Sequence, residues 1–102
     1  MTKKISDAIK GAFNDIDAEE IILFGSRARK DHEKNSDYDI LVITGRNIPA
    51  GRKISLYSKF RKRIAQKGID ADVLIKSREE VEYYRDKIGS VVKEALREGV
   101  AL

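Results

Sequence analysis

Three short apolar runs stand out along a chain that is otherwise thick with charge: Ile21-Ile22-Leu23-Phe24, Ile40-Leu41-Val42-Ile43 and, after Gly68-Ile69-Asp70-Ala71-Asp72, Val73-Leu74-Ile75. Each reads as a short buried strand bounded by turn-forming or acidic residues. Between and around them the apolar positions fall at helical spacing. Ile5, Ala8, Ile9, Ala12 and Phe13 mark an opening amphipathic helix. Ile54, Tyr57, Phe60 and Ile64 mark a second, introduced by Pro49-Ala50-Gly51 and stopped by Gly68. Ser77-Arg78-Glu79-Glu80 has capping-box spacing. It is expected to start one last helix along Val81, Tyr84, Ile88, Val91, Val92, Ala95 and Leu96. The predicted order is helix, strand, short helix, strand, helix, strand, helix. That is an α/β fold, a small mixed sheet packed by helices.

A chain of 102 residues has room for one core, and nothing in it suggests a linker or a repeat, so residues 1–102 are read as a single domain. Apolar content of 41% is ordinary, whereas 37% charged residues is high. No apolar run approaches a membrane span, and the N-terminus lacks a signal-peptide core. With no cysteine there is neither a disulfide framework nor a thiolate metal site. A cytoplasmic location is expected.

The chemistry concentrates between the first two strands. Gly25-Ser26 follows the first apolar run, and ten residues later come Asp37 and Asp39, directly before the second. Side chains alternate along a strand, so Asp37 and Asp39 face the same way, with Leu41 and Ile43 beyond them, while Tyr38, Ile40 and Val42 take the other face. Both faces are apolar past the aspartates, as in a central strand covered on both sides. Two carboxylates side by side at the edge of such a core repel each other, and one tends to stay protonated. Hard divalent cations such as Mg2+ remove that conflict, since they prefer oxygen ligands. The third strand opens with Asp70 and Asp72. If it lies beside the second, Asp72 approaches Asp37 and Asp39, with Asp70 in reserve nearer the turn. Arg27 and Arg29 are placed either to reach phosphates or to form ion pairs.

These residues resemble a known signature. Gly25-Ser26, ten intervening residues and Asp37-Tyr38-Asp39 look like the motif of the DNA polymerase beta nucleotidyltransferase superfamily. The wording Gly-Ser-Arg-Ala-Arg and the short length point to its minimal nucleotidyltransferase (MNT) domains. The resemblance spans about residues 20–75. It implies that Asp37, Asp39 and Asp72 are catalytic magnesium ligands and that Gly25 and Ser26 hold the nucleotide's triphosphate, which Arg27 and Arg29 are placed to reach as nucleotide-binding residues. It further implies transfer of AMP from ATP to a hydroxyl acceptor. MNT proteins are often the antitoxin half of a toxin–antitoxin module, and the acceptor would then be a tyrosine of a HEPN-domain toxin silenced by AMPylation. One departure is visible: where the family commonly has glycine after the second arginine, this chain has Lys30. The alternative from another class is a non-catalytic module that neutralises a partner by contact alone.

Charge adds one more feature. The net charge is +4, and the segment from Arg52 to Lys67 carries seven basic residues and no acid. Such a helix can meet a nucleic acid or an acidic protein, but Tyr57 and Phe60 fall on its core side, so no aromatic platform favours nucleic acid. His32, the only histidine, lies in a charged loop with no evident orienting partner and is read as solvent-exposed. Tyr83 is read as partly exposed and Tyr84 as part of the core stripe.

Overall fold

The computed structural model describes residues 2–102. Helix α1 (Lys3–Gly11) opens the fold, its first turn capped by the Thr2 hydroxyl, which accepts from Ile5 N. Strand β1 (Ala18–Phe24) runs into the one-turn helix α2 (Gly25–Arg29), and β2 (Tyr38–Thr44) returns antiparallel to β1. Helix α3 (Ala50–Ala65) then crosses over to β3 (Ala71–Ser77), which lies parallel to β2, as a parallel pair requires of its connection. Helices α4 (Arg78–Tyr84) and α5 (Val91–Glu98) follow, and β4 (Val100–Ala101) closes the sheet beside β1. The strand order is β3-β2-β1-β4, a mixed sheet as the sequence pattern predicts.

Strand alternation divides the interior in two. Ile40 and Val42 of β2 and Ile75 of β3 join Ile9 and Phe13 of the α1 region and Leu56, Phe60 and Ile64 of α3 on one face. Leu41 and Ile43 turn to the other face and meet Ile22, Val81, Val92 and Ala95, beneath α4 and α5. Residues Ile40 to Ile43 are all essentially inaccessible, so β2 is the doubly covered central strand that its unbroken apolar run implies. On the α1–α3 side the Phe13 and Phe60 rings meet edge to face at 4.9 Å. The Tyr57 hydroxyl accepts from Ile75 N at 3.1 Å, tying α3 to β3. Outside the core, Asp15 bonds to both Lys59 and Arg63, which holds its carboxyl well below the usual range.

Two sequence expectations need correction. The last helix is two helices. Helix α4 ends at Tyr84, the chain turns through residues 85–90 with Gly89 at φ +81°, and the Ser90 hydroxyl caps α5 by accepting from Lys93 N. The apolar stripe therefore loses phase: Val81, Val92 and Ala95 are buried, but Ile88 is 95% exposed and Tyr84 lies at the surface instead of in the core. Along α3 the buried residues are Leu56, Phe60 and Ile64, while Ile54 is exposed. The capping box at Ser77–Glu80 is present in both directions.

The departure at Lys30 acquires a physical meaning. Lys30 ends α2 at φ +64°, ψ +25°, the left-handed conformation that glycine adopts without a steric penalty. Lys30→Gly is expected to stabilise the fold by about 0.5–1 kcal/mol, the strain relief outweighing the entropy of the freed chain. Chemical denaturation should show the midpoint rising with an unchanged slope.

Candidate active site

The site forms where β1 ends and β2 and β3 begin. Phe24 pairs with Asp39, and the chain then turns sharply at Gly25, which has φ +70°. Gly25 is buried against the Asp39 carboxylate: a β-carbon at residue 25 would overlap Asp39 Oδ2. Glycine is needed twice over, for the backbone angle and for the space. In Gly25→Ala the left-handed angle alone costs about 1–2 kcal/mol. The new methyl must also displace the Asp39 side chain. The expected result is a lower melting temperature together with loss of whatever Asp39 binds, readable by calorimetry.

The parallel register sets Asp39 directly opposite Asp72, with Tyr38 opposite Ala71 one step earlier. Asp72 and Leu74 share the face of Asp39 and Leu41, so the two carboxylates emerge on the same side of adjacent strands. Asp37 is exposed just before β2, and Asp70 accepts from Tyr38 N through its carbonyl at 2.9 Å. The register thus favours Asp72 over Asp70 as the partner of Asp39.

Electrostatics single out Asp39. Burial raises its pKa above the ordinary value, and the charges of Asp72 and Asp37 push it the same way; Arg29 opposes them and Glu98 adds to them. Burial comes first and the neighbouring Asp72 second, with the Asp37 repulsion expected from the Asp-Tyr-Asp spacing adding to them. Among the described residues, no three His, Cys, Asp or Glu side chains converge closely enough to hold a metal ion as they stand. Asp72 lies 3.9 Å from Arg61, and both side chains are largely exposed. The donor set nonetheless suits a hard divalent cation: three carboxylates on neighbouring backbone positions, one of them destabilised by the charge of the other two.

The two arginines are engaged. Arg27 donates from Nε and Nη2 to the Ser36 carbonyl at 3.2 and 2.9 Å and from Nη2 to the Lys34 carbonyl, and its guanidinium lies over the Tyr38 ring. It clamps the loop that delivers Asp37. Arg29 donates to Asp31 and, from Nη1, to both oxygens of Glu98 at 3.0 Å. Ion pairing is thus observed for Arg29, which still places its positive charge beside Asp39, whereas Arg27 binds backbone carbonyls. His32 is exposed, as expected.

Sequence reasoning missed Glu98. From the end of α5 its Oε1 accepts from Gly25 N at 3.0 Å, a bond between residues 73 apart. Together with Arg29 it braces the turn, and these contacts hold its own carboxyl below the usual range. No local signal marks it; only the packing of α5 against α2 brings it there.

A sheet of this order, with a glycine turn after β1 and aspartates opening the neighbouring β2 and β3, defines a nucleotidyltransferase-type domain. A family model described as Polymerase beta, Nucleotidyltransferase matches residues 3–100, and the chain belongs to that family. The crystal structure of a candidate nucleotidyltransferase from Sulfolobus solfataricus has the same fold, with a TM-score of 0.58 and 22% identity, over 97% of this chain and 73% of that one. No curated protein matches the chain.

Proposed function

We propose that this protein transfers AMP from ATP to a hydroxyl acceptor in a reaction that depends on Mg2+. The observation that carries the reading is the register of β2 and β3, which sets Asp39 opposite Asp72 while Gly25 packs against the Asp39 carboxylate. Asp37, Asp39 and Asp72 would hold the cation. When bound, it would polarise the phosphate and lower the pKa of the attacking hydroxyl. Gly25 and Ser26 border the space for the triphosphate, with the charge of Arg29 nearby. In the transfer, the acceptor oxygen bonds to the α-phosphorus and the bond from that phosphorus to the bridging oxygen of the β-phosphate breaks. Pyrophosphate leaves with the electron pair, and the hydroxyl proton passes to a carboxylate, a role open to the largely exposed Asp72.

The acceptor in this reading is a tyrosine of a HEPN-type toxin, and the protein is its antitoxin. A cytoplasmic setting, where ATP is abundant, goes with it; among the described residues, no helix is long and apolar enough to cross a membrane. The test is incubation with ATP, Mg2+ and the partner, followed by intact-mass measurement of the partner. A gain of one or more adenylyl groups is expected, and a partner that never gains mass rules out the reaction for that pair.

One observation favours neutralisation by contact alone. Tyr83, Ile88 and Val91 are exposed on the α4–α5 turn, at 62%, 95% and 52%. Replacing Asp37 and Asp39 together by asparagine separates the two: neutralisation that persists supports contact, and its loss with binding retained supports chemistry.

A further inference from the structure

The carboxylate edge has two sides. On one stand α2 and the end of α5, with Gly25, Arg29 and Glu98. On the other, against the C-terminal half of α3, runs a groove of about 330 Å³ whose lining includes Asp37, Arg61, Lys62, Ala65 and Asp70. None of residues 25–29 lines it. We propose that this groove is the acceptor subsite, and that the acceptor it fits is a short acidic stretch of polypeptide carrying the reactive hydroxyl. The proposal rests on the nucleotidyl-transfer reading above.

The geometry of transfer supplies the first argument. In phosphoryl-type displacement the attacking and leaving oxygens lie roughly in line through phosphorus. With the triphosphate beside Gly25 and Ser26, pyrophosphate departs toward α2, and the acceptor must enter from the opposite side. The groove is what stands there, and Asp37 belongs both to its lining and to the carboxylate edge.

Charge supplies the second. Arg61 and Lys62 form one wall and are exposed, while Lys59 and Arg63 on the same helix are paired with Asp15. Arg61 makes only a distant contact with Asp72, at 3.9 Å between two mostly exposed side chains, a pair worth little in water and readily exchanged. An acid next to the acceptor residue can take up these cations while its hydroxyl points to the carboxylate end.

The lining also selects the class of partner. A nucleic-acid backbone carries a charge at every nucleotide and would press against Asp37 and Asp70 as well as meeting the cations. Stacking is not offered either. Phe60 is fully buried, and Tyr57 is partly buried with its hydroxyl bound to Ile75 N. A peptide with an acid on one side of its hydroxyl matches the mixed lining, and a groove this size suits a short segment.

The test uses two fluorescein-labelled peptides of equal length with one tyrosine, bordered on one side by glutamates in one peptide and by lysines in the other, and by neutral residues on the opposite side in both. Anisotropy with the full-length protein is expected to show the acidic peptide binding about fivefold more tightly. Arg61→Glu/Lys62→Glu should reverse that order, and the milder Arg61→Gln/Lys62→Gln should abolish it. Lys62→Gln alone should keep Mg-ATP affinity, measured by calorimetry, within about twofold, since of the two residues it is Arg61 that contacts Asp72. Equal or absent binding of the two peptides overturns the proposal, as does a preference indifferent to both variants. An oligonucleotide that displaces the acidic peptide from the same residues would assign the groove to nucleic acid instead. Failure of Mg-ATP to bind even the unaltered protein counts against the underlying transfer reading, independently of the anisotropy result.

Discussion

Asp39→Asn is expected to abolish nucleotidyl transfer while making the metal-free protein more stable at neutral pH. The loss should be on the order of 10³-fold, because the substitution removes a charged oxygen ligand from the point where phosphate charge must be stabilised. The stability gain follows from linkage. Burial and the neighbouring Asp72 and Asp37 raise the Asp39 pKa above its ordinary 3.8. A carboxyl with a raised folded pKa costs stability above that pKa, and the cost disappears as pH falls through it toward the unfolded value. The melting temperature of Asp39→Asn in EDTA should therefore exceed that of the parent protein at pH 7, and the difference should shrink as the pH is lowered toward 4. Adding Mg2+ with ATP should raise the parent's melting temperature and leave the variant's where it was. A variant that melts lower than its parent at pH 7 would show that Asp39 is a structural acid and not a charge held in readiness.

The largest expected effect on folding comes from Phe60→Ala. Phe60 is fully buried in the C-terminal half of α3 and meets Phe13 edge to face. Removing the ring leaves a cavity between α3, α1 and the sheet, at a cost of about 3–5 kcal/mol. A domain of this size has about 5–15 kcal/mol in total, so the variant should sit near the limit of folding. Urea denaturation is the measurement: the midpoint should drop sharply with the slope retained. A loss of less than about 1 kcal/mol would mean that the α3 side is less tightly packed than the Phe13–Phe60 contact implies.

The strands were legible because their signals are local. Ile40 to Ile43 and Val73 to Ile75 are unbroken apolar runs, and the parity of Asp37, Asp39 and Leu41 follows from the pleat alone. The pairing of Asp39 with Asp72 was legible as a condition, since it required only that β3 lie beside β2, and the structure meets it. What sequence could not give is of two kinds. Some errors are of phase: the apolar line from Val81 to Leu96 continues in register across the turn that separates α4 from α5, so it reads as one element. Periodicity records spacing but not the sign of φ. Other features depend on distant parts of the chain. Glu98 reaches Gly25 from the far end, and β4 is only two residues long, too short to have a pattern. The arginines lie between these cases. Their proximity to the site was readable, but their partners in the 31–37 loop and in α5 depend on how loop and helix pack.

The bond from Ile75 N to the Tyr57 hydroxyl has a consequence for how the molecule behaves in a crowd of its own copies. Strand β3 is the last in the sheet, so its outward amides are a template on which another chain could add. Ile75 N is taken by Tyr57 and Ser77 N by the Glu80 carboxylate, so two of those amides are occupied before any second strand arrives. One helix side chain and one capping residue thus leave fewer free donors along this border for a strand of another copy to pair with.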